Sequence, residues 1–106
     1  MKKDVFQAIA DPTRRAILSL IAIHAMTPNM LAQHFDTSRQ AVSKHIHVLK
    51  QTQLIKQEQS GREIYYQLNP TRMKQIADWL EPFYQLWEDR FSQLDAELKK
   101  AKTKKS

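Results

Sequence analysis

Apolar residues along this chain keep a helical period, change to strict alternation after Leu54, and return to the helical period at Thr71. Residues 3–10 predict a short amphipathic helix with Val5, Phe6 and Ile9 on one side. Asp11-Pro12 restarts the chain: the aspartate can cap exposed N–H groups, and proline suits the first helical position. The next helix is expected from Pro12 to His24, burying Ile17, Leu18 and Ile21 and exposing Arg14 and Arg15 in its opening turn. Thr27-Pro28 repeats the cap-and-proline signal, and Met30, Leu31 and Phe35 form the apolar face of the short helix that follows. After a turn at Asp36-Thr37, Ser38 caps a fourth helix that runs to Thr52. Two short helices joined by a tight turn make a helix-turn-helix pattern.

Ile55, Gln57 and Gln59 alternate with Lys56 and Glu58; beyond Ser60-Gly61-Arg62, Ile64, Tyr66 and Leu68 alternate with Tyr65 and Gln67. This is the signature of a β-hairpin, and Gly61 is the only glycine in the chain. Asn69-Pro70 ends it. A last helix is expected from Thr71 to Lys99, with a break or kink near Asp78, where Asp78-Trp79-Leu80-Glu81 resembles a capping box and Pro82 would lie in a new first turn. The predicted fold is mainly α with a small β-hairpin, in the order α-α-α-α-β-β-α: a winged helix-turn-helix. Residues 1–98 form one DNA-binding and dimerisation domain, and residues 99–106 form a disordered Lys-rich tail.

Charge narrows the choice of partner. The 106 residues carry 17 Lys+Arg against 11 Asp+Glu, a net charge of +6. Five lysines crowd the last eight residues, but residues 36–62 still hold five basic residues against two acidic ones. Residues 71–98 reverse this, with three basic and six acidic. The middle of the chain therefore suits phosphates. The chain has no cysteine, which excludes disulfides, thiolate metal ligation and thiol redox sensing. No apolar run is long enough to span a membrane, and the N-terminus lacks a signal-peptide core, so the protein is expected in the cytoplasm.

The fourth helix carries the candidate chemistry. On a wheel at about 100° per residue, Ser38, Val42, His45, Ile46 and Leu49 fall together and are expected to face the core. Gln40, Ser43, Lys44, His47 and Gln51 lie opposite, flanked by Arg39 and Lys50. No acidic residue occurs between Thr37 and Gln57. Amides pair with adenine and lysines with guanine, while cations and hydroxyls hold phosphates. Alone, such a face is an ordinary solvated surface. Between a helix-turn and a hairpin it becomes a recognition helix for double-stranded DNA. The candidate DNA-binding residues are Ser38, Arg39, Gln40, Ser43, Lys44 and His47, with Arg62 at the hairpin tip reaching a phosphate or the minor groove. His45 has two readings, a half-buried imidazole satisfied by a neighbour or a phosphate contact.

Other classes fit less well. His24, His34, His45 and His47 do not show the convergent spacing of a metal site, so no metal or other cofactor is expected. No nucleophile–base arrangement, phosphate-cradling glycine loop or carboxylate pair suggests an enzyme. A winged-helix module that binds a partner protein shares the fold, and the acid-free helix face favours DNA over it. A second surface is legible in the last helix. Leu80, Tyr84, Trp87, Phe91, Leu94 and Leu98 form a heptad seam, broadened by Phe83 and Leu86. The first helix, through Val5 and Phe6, is expected to take part of it, and the excess to pack against a two-fold mate.

Three segments together resemble the ArsR family of winged-helix regulators. They are Ala10-Asp11-Pro12-Thr13-Arg14-Arg15-Ala16-Ile17-Leu18, then Ser38 through Lys50 (SRQAVSKHIHVLK), then Gly61-Arg62-Glu63-Ile64-Tyr65-Tyr66-Gln67-Leu68. They occur in the family's order, and the resemblance covers residues 4–98. It implies a transcriptional regulator, typically a repressor, that binds an inverted-repeat operator as a homodimer built from its first and last helices. Many members sense metals. Their thiolate site would fall at Asn29–His34, where no cysteine stands, and their other site needs a histidine in the last helix, where none follows His47. The resemblance is therefore to a metal-independent branch, with a metal-responsive repressor of unusual site as the alternative. No motif in the sequence identifies an inducer.

Overall fold

The computed structural model describes residues 4–103, with side chains through residue 101. Its elements are α1 (Val5–Ile9), α2 (Pro12–Ile23), α3 (Pro28–Ala32), α4 (Arg39–Gln51), β1 (Ile55–Ser60), β2 (Glu63–Leu68) and α5 (Pro70–Thr103). They fall into two compact units, one through Lys74 and one from Gln75 onward. No helix among the described residues is long and apolar enough to cross a membrane.

Each short helix of the first unit begins on a side-chain cap. Asp4 accepts from the Gln7 N–H, and the Gln7 side chain accepts in return from the Asp4 N–H, a capping box. Asp11, Thr27 and Ser38 accept from the N–H groups of Arg14, Met30 and Ala41. Pro12 and Pro28 follow two of these caps, where their missing N–H groups have no cost. Helix α4 ends in a Schellman motif: Leu54 N–H donates to Leu49 and Gln53 N–H to Lys50. Gln53 takes the left-handed conformation this requires, at φ 62°. The Arg72 guanidinium bonds its side chain and Asn69 its carbonyl, which helps offset the strain.

The hairpin pairs Ile55 with Leu68 through Ser60 with Glu63, leaving Gly61-Arg62 as a two-residue loop. Gly61 sits at φ 63° and Arg62 does not share the positive φ, the pattern of a II′ turn. Met26 adds a bridge that the periodicity does not show. Its N–H and C=O both bond Tyr66, which ties the start of the helix-turn-helix to the hairpin.

The core of this unit is Val5, Ala8, Ile17, Leu18, Ile21, Met26, Leu31, Val42, Ile46, Leu49, Leu54, Ile55 and Tyr66. Ile17, Leu18 and Ile21 are buried as the period of α2 requires. Phe6 and Ile9, expected beside Val5, are only half-buried, and Ala8 is fully buried instead.

The second unit departs from expectation at Pro82. The expected break near Asp78 is not there: α5 runs through Pro82 to Thr103. Asp78 and Pro82 are both exposed, so water can serve the carbonyl that proline leaves without a donor. The helix also passes Leu98, with Lys99 paired to Asp95 at 3.3 Å, one turn back. Of the tail expected to be disordered, residues 104–106 lie outside the described residues. Every residue from 77 to 101 is exposed.

Candidate nucleic-acid interface

Helix α4 is bound to its unit along one apolar strip, Val42, Ile46 and Leu49, each buried. This strip fixes which residues point outward. Arg39, Gln40, Ser43, Lys44, His47, Lys50 and Gln51 are all exposed. Ser38, expected toward the core, is exposed as well, because its oxygen must turn outward to cap Ala41 N–H at 3.1 Å. His45, expected on the core side, is half-buried, with Nδ1 3.3 Å from the Arg14 guanidinium and 3.8 Å from Asp11. Of its two readings, the structure places it with neighbours in the protein.

Basic residues of α2 and α4 are used differently. The period of α2 puts Arg14 and Arg15 at the surface; Arg15 is exposed and Arg14 half-buried, and both guanidinium groups turn back to the end of α1. Arg14 donates to the carbonyls of Ala8 and Gln7, and Arg15 to those of Ile9 and Ala10. Carbonyls at a helix C-terminus lack intrahelical donors and attract cations. By contrast, Arg39, Gln40, Ser43, Lys44, His47, Lys50 and Arg62 make no side-chain hydrogen bond or ion pair among the described residues. Their polar groups are committed to water alone and can be transferred to a ligand without breaking an internal bond.

The hairpin shapes this surface. A groove of about 390 Å³ separates it from α4, lined by Arg39 and Ser43 on the helix, by Arg62, Glu63 and Ile64 on the hairpin, and by Asn29 of α3. A smaller hollow beside it shares Ser43 and Tyr66 and adds His47 and Lys50. Arg39, Ser43, His47 and Lys50 are spaced 4, 4 and 3, so the flank of α4 toward the hairpin is a basic and hydroxyl stripe. Gln40 and Lys44 line neither hollow. Lys50 stood outside the candidate set, although its spacing from Arg39, Ser43 and His47 is visible in the sequence. What the sequence does not give is which flank the hairpin occupies. The Glu63 carboxylate accepts from the Tyr65 hydroxyl at 3.1 Å, and this bond holds the phenol above its ordinary pKa.

At the other candidate surface, Val5 is buried within the single chain and Phe6 is half-buried. Leu80, Tyr84, Trp87, Phe91 and Leu94 are exposed, Trp87 at 65%. Trp79 and Phe83 meet with ring centroids 4.8 Å apart and planes tilted by 49°, so part of the apolar surface of α5 is shared along the helix itself.

Comparison with known proteins agrees with this geometry. Residues 9–58 match the family model of a helix-turn-helix domain. The transcriptional repressor SdpR of Bacillus subtilis (strain 168) is 41% identical over 80 residues, covering 76% of this chain and 89% of that protein. The crystal structure of a possible transcriptional regulator for arsenical resistance is 35% identical, with a TM-score of 0.71 over 90% of this chain and 96% of the other. An ArsR-like transcriptional regulator from Rhodococcus sp. RHA1 is 30% identical, with a TM-score of 0.66 over 87% of each chain. The chain belongs to the ArsR family of winged helix-turn-helix, DNA-binding transcriptional regulators.

Proposed function

We propose that the chain is a sequence-specific repressor that binds an inverted-repeat operator as a homodimer. The observation that carries this reading is the outward face of α4: exposed, without a carboxylate, and without internal partners for its amide, hydroxyl and cationic groups. Gln40 and Lys44 read base edges in the major groove. Arg39, Ser43, His47, Lys50 and Arg62 hold the backbone that passes between α4 and the hairpin. Repression is supported by the similarity to a named repressor. Such a protein acts in the cytoplasm, where the chromosome of a bacterium is reached.

The second copy is argued from α5. Its seam leaves Leu80, Tyr84, Trp87, Phe91, Leu94 and Leu98 each about half exposed or more. A water-exposed apolar stripe of this length exceeds what soluble monomers carry. A second copy covers it by two-fold pairing and sets two recognition helices about 34–36 Å apart. The donor set supports a metal-independent member: the chain has no cysteine, and no three His, Asp or Glu side chains among the described residues lie together as ligands.

Selection of bound sequences from random duplex DNA tests the reading. An inverted repeat with half-sites one helical turn apart is expected. Recovery of no preferred sequence, with binding that ignores salt, would favour a protein partner instead.

A further inference from the structure

One guanidinium joins three helices. Arg14 Nε donates to the Ala8 carbonyl at 2.6 Å and Nη2 to the Gln7 carbonyl at 3.2 Å, both in the last turn of α1. Its Nη1 lies 3.3 Å from Nδ1 of His45, on the recognition helix. Arginine only donates, so Nδ1 accepts. With Nδ1 accepting, the ring hydrogen belongs on Nε2. The Asp11 carboxylate, 3.8 Å from the same Nδ1, already accepts from the Arg14 N–H at 3.0 Å and locks the first turn of α2 beneath the guanidinium. The cluster is largely shielded, with the side chains of His45 and Asp11 26% and 32% exposed.

Helix α4 is otherwise held by Val42, Ile46 and Leu49. Hydrophobic contact sets how deeply a helix seats, but it has no direction and tolerates small rotations about the helix axis. A hydrogen bond does have direction. The Arg14–His45 bond sits at the edge of the apolar strip, where a small roll of α4 changes its length most. Arg15 holds the Ile9 and Ala10 carbonyls independently, so α1 keeps a tether without Arg14.

We propose that Arg14 is a positioning residue for DNA reading: through His45 it fixes the roll of α4 and aims Gln40 and Lys44. The inference rests on the DNA-binding function proposed above. It makes the junction of α1 and α2 part of the recognition apparatus, although neither helix supplies a residue to the DNA-facing surface. A displacement of α1 would reach α4 through this one side chain.

The test uses the full chain with His45→Asn, which keeps an acceptor near the Nδ1 position, and His45→Leu, which removes it. Affinity for the selected operator and for a random-sequence duplex is measured at one salt concentration, beside the thermal midpoint. His45→Leu is expected to lose about tenfold on the operator, the scale of one directional hydrogen bond, while random-duplex affinity stays within about twofold. His45→Asn should stay near wild type on both. Equal operator losses in the two variants, or parallel losses on operator and random duplex, would overturn the proposal, the second pointing to a direct phosphate contact by His45. Imidazole ¹⁵N shifts of the wild-type chain without DNA give a check that needs no variant to fold. The Nε2–H tautomer is expected for His45, and an Nδ1–H tautomer would overturn the proposal while leaving the DNA-binding function intact. A wild-type chain without salt-dependent duplex binding would overturn both.

Discussion

Helices α4 and α5 both present faces without a partner in a single copy, and the two faces are opposite in chemistry. The outward face of α4 is amide, hydroxyl and cation, with no acid from residue 38 to residue 56. The seam of α5 is aromatic and aliphatic, set in a stretch whose charge is net acidic. Water solvates the first at little cost, so exposure alone says nothing about it; what marks it is the missing internal partners of Arg39, Gln40, Ser43, Lys44, His47 and Lys50 among the described residues. Water solvates the second poorly, and there exposure itself is the signal. A polar surface waits for a ligand, whereas an apolar seam is incomplete without one. The recognition surface is formed within one chain, while the seam of α5 is exposed there and is what the proposed second copy would cover.

The largest effect should come from breaking the seam while leaving α4 untouched. Replacing Trp87 and Phe91 together by Ala is expected to give a monomer by sedimentation. Operator affinity should fall by about 10²–10⁴-fold, the advantage of linking two binding modules. A dimeric variant with wild-type affinity would place the interface elsewhere.

Breaking α4 should do the converse. Gln40→Ala or Lys44→Ala is expected to leave the dimer intact and to cost about 1–3 kcal/mol on the operator, with relaxed discrimination at one base position. Titration against operator and single-base variants measures this, and an equal loss on random duplex would remove that residue from base reading. Lys50→Gln should instead weaken all duplexes alike and lower the salt slope by about 1.

A smaller effect should come from Asp11, which belongs to neither face. Its carboxyl is held below the ordinary value, mainly by the Arg14 N–H and further by the Arg14 guanidinium and the Thr13 N–H, against an opposing desolvation. A lowered folded-state value means that the stabilisation is present above the unfolded value and is lost as pH falls through the folded one. Asp11→Ala is expected to cost about 0.5–2 kcal/mol near neutral pH, the range for a helix cap, with the difference shrinking in acid. Urea unfolding of both proteins across the acidic range checks the sign. A difference independent of pH would detach the cap from the ionised carboxylate.

Much of this was legible in the residues. Asp11-Pro12 and Thr27-Pro28 mark two helix starts because a cap followed by proline has few other uses, and Gly61 marks the hairpin because the turn needs a positive φ there. The wheel separates the buried strip of α4 from its polar face. What it could not show is set by partners distant in the chain. Half-buried Arg14 and exposed Arg15 both bond the end of α1 because it lies within their reach, which no period encodes. Met26 bridges Tyr66 without belonging to any strand-like run. Ser43 and His47 belong to the hairpin side of α4 rather than beside Gln40 and Lys44, and only the packed hairpin reveals it. Pro82 signalled a break, but an exposed helix can leave one carbonyl to water.

Sedimentation of the wild-type chain at micromolar concentration, alone and with a duplex carrying the selected inverted repeat, tests the central claim most directly. The account predicts a dimer in both cases, with one dimer per duplex and weak binding to an isolated half-site. A monomer that binds a single half-site as tightly as the full repeat would contradict it.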